Sequence, residues 1–189
     1  VGMAVFIYKT GVYPISLETA SSRITLNQDG SIQLSMGATE IGQGADTVFS
    51  QMAAETTGIS LDRVYINSTQ DTDVTPFDTG AYASRQTYVS GMACKKCARE
   101  FRQKVLEYAA YMLNHDVTDL SKTVYSDVVK EAAGKVRHVL GLTEQDEITW
   151  DMLDIADSQI VVTGGDSVLF DVAVVADTAF YSLDRSVHI

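Results

Sequence analysis

Proline is almost missing: Pro14 and Pro76 are the only two in 189 residues. With glycine spread along the chain instead of clustered, no stretch reads as a disordered linker or a low-complexity tract. A repeat period of the kind that builds solenoids or propellers is lacking too. Basic residues are in deficit, 14 Lys and Arg against 25 Asp and Glu, for a formal charge of −11 and an isoelectric point near 4.5. A protein that grips nucleic acid must neutralise phosphates with Lys and Arg, so this balance speaks against nucleic acid as a partner. Long apolar runs are also absent. Stretches such as Val172 to Ala176 fall far short of the roughly 20 residues that cross a bilayer, and no membrane partner is expected. Val1 to Tyr8 has neither an initial Met nor a charged leader followed by a cleavage site, so it is not a signal peptide. Cysteine occurs only at Cys94 and Cys97. With no leader and so little cysteine, the expected compartment is the cytoplasm.

Hydrophobic residues make up 46% of the chain, enough to bury a proper core in one domain or two small lobes. Gly2 to Tyr8 reads as a strand whose sheet partners lie elsewhere. From Ile24 to Ser35 apolar residues alternate on both sides of Asp29-Gly30, the pattern of a β-hairpin. Val48, Phe49, Met52 and Ala53 stand at helical spacing and predict a helix over Ala45 to Thr57, with Gly58 as its stop. Arg63 to Asn67 reads as a short strand, and Ser68 to Ala83, rich in Thr, Asp and Gly, as a loop. A long helix is predicted over Gln86 to Asn114, its apolar face running through Val89, Ala93, Cys97, Phe101, Val105, Ala109 and Met112. Another helix, over Val124 to Leu140, is expected to be broken by Gly134 and to end near Gly141. A second hairpin follows over Gln159 to Phe170, turning at Gly164-Gly165, and then a short helix over Asp171 to Phe180. Arg185 to Ile189 reads as a strand entering another piece of sheet. These elements make an α+β pattern of small mixed or antiparallel sheets with packed helices. Both ends are expected to lie inside a longer protein, since the chain lacks an initial Met and stops without a turn or polar tail.

Two loops precede helices and can present backbone N–H groups to an anion. One is Gly42-Gln43-Gly44; the other runs from Thr79 to Arg85. Unpaired N–H groups in a helix's first turn, together with the helix dipole, stabilise a phosphate. Glycine permits close backbone approach, Ser84 can cap or donate, and Arg85 supplies the one full positive charge near the second loop. The plainer reading is an ordinary pair of strand-to-helix connections, where Gly and Ser are common. A lone G-x-G decides nothing between the two.

Resemblance shifts that balance. Gly37-Ala-Thr-Glu-Ile-Gly-Gln-Gly-Ala-Asp-Thr47 resembles the G-x-x-E-x-G-Q-G segment of the xanthine oxidase-family molybdenum hydroxylases. Asp71-Thr-Asp-Val-Thr-Pro-Phe-Asp-Thr-Gly-Ala-Tyr-Ala-Ser-Arg-Gln-Thr-Tyr-Val-Ser-Gly-Met-Ala93 is similar to that family's next loop-helix segment, and is close to bacterial xanthine dehydrogenase molybdenum subunits. Order and spacing of the two segments match. The likeness covers most of the chain and weakens across Lys122 to Thr149, where it implies extra residues in this sequence. It implies that Gln43 contacts the cofactor near the molybdenum, with Gly42 and Gly44 shaping its loop. Ala83 would lay its backbone against the metal centre, while Ser84, Arg85 and Gln86 would hold the pterin and its phosphate. The family's substrate-facing aromatic would fall at Val5 or Phe6. No catalytic residue and no protein ligand to the metal is assigned: the family's catalytic glutamate sits in a G-x-G-E-like motif that does not occur here.

The implied cofactor is molybdenum-molybdopterin, plain or as the cytosine dinucleotide, with FAD and 2Fe-2S clusters in partner subunits or domains. The implied partners are the remainder of the molybdenum subunit and those iron–sulfur and FAD subunits. Residues 1–189 would form part of a larger molybdopterin-binding domain, with both cofactor loops in a lobe over 1–120 and helices and the second hairpin in 121–189. The implied reaction is oxidation of a purine such as hypoxanthine or xanthine with water as the oxygen donor, by a parent enzyme of which this fragment alone is inactive. An aldehyde or other N-heterocycle oxidoreductase of the same family, a phosphate- or nucleotide-binding module, and a structural module are the alternatives.

Other residues carry plainer readings. Cys94-Lys-Lys-Cys97 lacks the further ligand pair that zinc needs, since His115, His138 and His188 form none; inside a helix it reads as core packing. Asp71, Asp73 and Asp78 lack the spacing and terminal Glu of a calcium loop and read as turn formers. Glu40 is expected to bond loop backbone, and Glu144 to Glu147 to be a solvated face or helix start.

Overall fold

The fold is described from a computed structural model, for residues 1–12, 18–67, 71–117 and 124–182. The first sheet begins with the hairpin predicted around Asp29-Gly30. Strands β1 (Ser22–Leu26) and β2 (Ile32–Met36) pair antiparallel, Leu26 opposite Ile32 and Ser22 opposite Met36. The turn is closed by side chains: the Asp29 carboxylate accepts from the Ser31 N–H at 2.9 Å and its hydroxyl at 2.6 Å. Gly30 sits at φ 80, the left-handed region that glycine enters freely.

Helix α1 spans Ala45–Thr57, with the bounds its sequence predicts. Gly58 ends it at φ 81 and donates its N–H to the Ala54 carbonyl at 2.9 Å. After a 3-10 turn at Leu61–Arg63, β3 (Val64–Ile66) runs parallel to β2. A parallel return needs a crossover, and α1 supplies it, burying Phe49 and Ala53 against the sheet. β2 lies between its two neighbours, which is why Ile32, Leu34 and Met36 are all fully buried.

The long helix differs from its prediction at the start. Gln86–Ser90 is a π-helical turn, and the α-helix proper, α2, covers Gly91–Asn114. Inside α2 the buried stripe keeps a 3.6-residue turn, so the predicted positions, stepping by four, drift off it toward this end. Gly91, Cys94 and Ala98 face the core, whereas Val89, Ala93 and Cys97 are half-buried. From Phe101 onward the predicted face holds, through Val105, Ala109 and Met112. At ~1.5 Å per residue α2 is ~36 Å long, long enough to pack on α1 and β1 at one end and on the second sheet at the other.

Helix α3 (Ser126–Leu140) passes through Gly134 unbroken. One glycine costs a helix only about 1 kcal/mol, and burial of Val129, Ala132 and Val136 outweighs that. Gly141 ends it at φ 68. The second sheet is a meander of β4 (Leu153–Ala156), β5 (Gln159–Val162) and β6 (Val168–Asp171), all antiparallel. The turn at Gly164-Gly165 is as predicted; β4 was not foreseen. Helix α4 (Val172–Phe180) follows directly, capped by Asp171, whose side chain accepts from Ala173 N–H at 2.8 Å.

One hydrophobic cluster links both sheets with α1, α2, α3 and α4. The sheets are stitched by Ser158 N–H to the Gly58 carbonyl at 2.9 Å and by the Arg63–Asp171 ion pair at 2.8 Å. Gly2 to Tyr8 forms no strand among the described residues, and its side chains are exposed; a strand requires a pairing edge, and none of the described strands pairs with it. The strand expected over Arg185 to Ile189 falls outside the described residues. No helix among those described is long and apolar enough to cross a membrane.

Candidate functional site

The Gly42-Gln43-Gly44 loop is organised by Glu40. One carboxylate oxygen accepts from Gly42 N–H at 2.6 Å and Gly44 N–H at 3.1 Å; the other accepts from Asp46 N–H at 3.2 Å. Burial works against the Glu40 charge, but these N–H donors outweigh it and hold its pKa below the ordinary value. Glu40 thus bonds loop backbone as expected. It also fills the place where an anion was foreseen: the start of α1 already has its negative charge. Gly42 and Gly44, at φ 98 and 83, meet nothing that a Cβ would touch. They are glycine for backbone conformation rather than for space.

Gln43 is turned toward the second loop. Its Oε1 accepts from Ile41 N–H at 2.7 Å, and its Nε2 donates to the Thr39 carbonyl at 3.0 Å and to Gln86 Oε1. Gln86 Nε2 donates to the same Thr39 carbonyl at 2.8 Å. Residues 43 apart in sequence are therefore joined amide to amide around one carbonyl oxygen.

The second loop carries two successive residues in the left-handed region, Ala83 at φ 46 and Ser84 at φ 53. Each costs roughly 1–2 kcal/mol, so surrounding structure must hold them. The Ala83 carbonyl accepts from Gly11 N–H at 2.7 Å. Arg85 follows, wholly buried, with its guanidinium turned inward. It donates to Glu18 through Nε, to Asp78 Oδ1 at 2.6 Å and the Gly80 carbonyl at 2.7 Å through Nη1, and to the Thr19 carbonyl at 2.7 Å through Nη2. Burial disfavours the charge, but Asp78 and Glu18 more than compensate and raise the guanidinium pKa above its ordinary value. Removing one partner of such a buried pair typically costs about 3–5 kcal/mol. The charge expected to face an anion is spent inside the fold. What the loop offers outward is backbone and the exposed Ser84, at a helix start that no side chain caps.

Both loops open on one cleft of about 380 Å³, lined by Tyr8, Ile41, Gln43 and the continuous stretch Ala81 to Thr87. Its size lies in the range of small-molecule and cofactor sites. The structure therefore brings Gln43, Ala83, Ser84, Arg85 and Gln86 to one surface, with Gly42 and Gly44 beside it. Among the described residues lining it there is no carboxylate and no imidazole. Such a lining suits binding and orientation, and among the described residues it offers no acid–base pair. Tyr8 and Ile41 went unnoticed in the sequence because nothing local marks them, and Val5 and Phe6 stand exposed outside the cleft. Thr39, Glu18 and Asp78 were missed as organisers, although Asp78 stands seven residues before Arg85, a spacing that a search for the arginine's counter-charge would have reached.

A larger cleft of about 570 Å³ lies at the start of α2, lined by residues including Ser22, Tyr88, Met92 and Cys97. It holds none of the predicted site residues. Cys94 is sealed in the core with Sγ 3.7 Å from the Phe49 carbonyl, and burial pushes its thiol up to about 12. Burial raises the Cys97 thiol as well. Both cysteines pack; Cys94, rather than Cys97, is the buried one. Asp71 and Asp78 act as turn formers, accepting from Asp73 N–H and Gly80 N–H at 2.9 Å.

A family model described as the molybdopterin cofactor-binding domain matches residues 1–181. The xanthine dehydrogenase molybdenum-binding subunit of Escherichia coli is 51% identical over 121 residues, 64% of this chain and 16% of that protein. The 6-hydroxypseudooxynicotine dehydrogenase complex subunit gamma of Paenarthrobacter nicotinovorans is 32% identical over 130 residues, 69% of this chain and 16% of that one. In fold, the chain is similar to quinoline 2-oxidoreductase from Pseudomonas putida, with a TM-score of 0.57 at 21% identity, covering 85% of this chain and 16% of that one. The chain spans about a sixth of the length of these relatives.

Proposed function

The chain belongs to the molybdopterin cofactor-binding domain family, and from that premise we propose that the cleft between the Gln43 loop and the Ala83–Gln86 stretch clamps one side of the pterin in a molybdenum hydroxylase. The observation that carries this reading is the convergence of the two loops on one cleft, with Gln43 bonded to Gln86 at its edge. The residues present fit the group. A left-handed turn at Ala83 and Ser84 exposes backbone, and the uncapped helix start beyond it suits a phosphate. Gln43 supplies an amide whose orientation Thr39 and Gln86 fix. Ser84 offers a hydroxyl. Arg85 serves from behind, holding the loop, while Gly42 and Gly44 shape the other wall and Glu40 keeps that wall's backbone in place.

When bound, the molybdenum cofactor supplies the redox chemistry, in which a substrate carbon is hydroxylated with oxygen from water; the protein's part is binding, orientation and electrostatics. This chain's residues hold the pterin and exclude water from one flank of it. The parent enzyme would act on a purine such as hypoxanthine or xanthine, a choice supported by the higher identity to the relative named for xanthine. Oxidation of another N-heterocycle is the second reading, supported by the relative named for 6-hydroxypseudooxynicotine. The remainder of the molybdenum subunit would complete the site, iron–sulfur and FAD subunits would carry electrons away, and the assembly would work in the cytoplasm.

The experiment is direct. The purified full-length protein should contain molybdenum and pterin in equal amounts and should convert xanthine to a product whose new oxygen comes from labelled water. A full-length protein free of molybdenum and pterin would overturn the reading; a molybdenum-loaded one that ignores purines but oxidises another N-heterocycle would move it to the second.

A further inference from the structure

We propose that Asp78 and Glu18 are positioning residues, which through Arg85 lock Ala83 and Ser84 in the left-handed conformation that the cofactor loop needs; this rests on the cleft being the cofactor site. Asp78 has a side chain with no exposure, like that of Arg85. Its Oδ1 accepts from Arg85 and from Gly80 N–H at 2.9 Å; its Oδ2 accepts from the Ser90 hydroxyl at 2.7 Å. One carboxylate therefore holds the loop before its apex, just after it and at the far end of the π turn. The backbone around Asp78 lies so close to the end of β2 that a side chain at Gly37 would collide with the Pro76 carbonyl.

Glu18 closes a ring around the apex. Its Oε2 accepts from Arg85, and its Oε1 accepts from Val12 N–H at 2.8 Å. The neighbouring Gly11 N–H reaches the Ala83 carbonyl at 2.7 Å. The ring thus runs from Ala83 through Ser84 to Arg85, across to Glu18, and back through the backbone to Ala83. Two non-glycine residues in succession at positive φ persist only where the surroundings over-determine them, and this ring, with Asp78 behind it, is what does so here. Two carboxylates for one guanidinium also leave the cluster with a net negative charge. That excludes Arg85 as the source of attraction for a phosphate and gives the whole network to geometry.

The test uses the full-length enzyme with Asp78→Asn and Glu18→Gln, each alone and combined with Ala83→Gly. Molybdenum and pterin per subunit are measured beside the thermal midpoint. Glycine enters the left-handed region without cost, so it should relieve the loop's need for the clamp. Each single variant should lose cofactor at least fivefold, and Ala83→Gly should restore at least half of the loss. Glu18 is partly exposed, so Glu18→Gln decides the matter if Asp78→Asn does not fold. Wild-type cofactor content in the folded single variants would overturn the clamp alone. So would a loss that tracks the thermal midpoint and that Ala83→Gly does not restore. Absence of cofactor from the wild-type enzyme would overturn the clamp together with the cofactor reading.

Discussion

Gln86 shows how much a single side chain can do without being conspicuous. It is buried, and it links the Gln43 amide to the Thr39 carbonyl. Replacing it with Ala leaves Gln43 held only by its own loop. Groups that orient a ligand of a metal site commonly cost on the order of 10–100-fold in affinity or activity when lost. Gln86→Ala in the full-length enzyme should lower kcat/KM within that span in the protein that remains folded; wild-type kinetics would remove Gln86 from the site. Gln43 and its flanking glycines were legible in the sequence because the motif is contiguous. The direction of Arg85 was not. Of its two counter-charges, Asp78 stands seven residues before it and Glu18 67 residues away, and no local pattern tells whether an arginine beside a glycine loop faces outward or inward. Glu40 was legible as a backbone-bonding residue, but its occupation of the α1 start became visible only with the three N–H contacts in place.

At the scale of elements, local signals were read well and register less so. α1 carries its limits in its own residues, spacing inside and glycine at the end. Both hairpins announce themselves through alternation and turn chemistry. β4 lacks such a signal: Leu153 to Ala156 alternates over only four residues, and its place depends on pairing with β5. The buried stripe of α2 departs from the predicted one at its start because steps of four residues drift from a 3.6-residue turn, and the π turn before it leaves no periodic signal at all. Gly2 to Tyr8 has the composition of a strand, yet composition does not provide an edge to pair with. Asp171 joins elements in a way that can be measured. It caps α4 and bridges Arg63, and Asp171→Ala should cost roughly 1–2 kcal/mol, the sum of a cap and a partly exposed pair. Asp171→Asn keeps the cap and should cost less. Burial pushes the Asp171 pKa up, but Arg63 and the Ala173 N–H bring it below the ordinary 3.8. A depressed folded-state pKa contributes stability that is complete above the unfolded value and is lost as pH falls through the folded one. The gap between wild type and Asp171→Asn in denaturant unfolding should therefore close on acidification below the ordinary carboxylate range; a gap that persists would mean the bridge contributes nothing.

For the molecule as a whole, one cluster of buried side chains ties the first sheet to the second, and Gly58 stands where they meet. It ends α1 at positive φ, and a Cβ there would collide with the Ile155 carbonyl. Gly58→Ala should cost about 2–4 kcal/mol, adding overpacking to the conformational strain. Thermal unfolding should show a single lowered transition; two separated transitions would mean that the sheets do not share a core. The α+β class, the two-loop arrangement and the family were legible because motif order and spacing survive in the sequence. The cleft itself was not, since it depends on Tyr8, Ile41 and the Thr39 carbonyl coming together through the fold. The claim that matters most is the position of the cofactor, and the measurement that tests it most directly is anomalous scattering at the molybdenum edge from crystals of the full-length enzyme. Convergence of the two loops predicts a molybdenum peak beside the cleft, with cofactor density touching Gln43 and the Ala83 to Gln86 backbone. A peak elsewhere, with the cleft packed by another part of the protein, would contradict it.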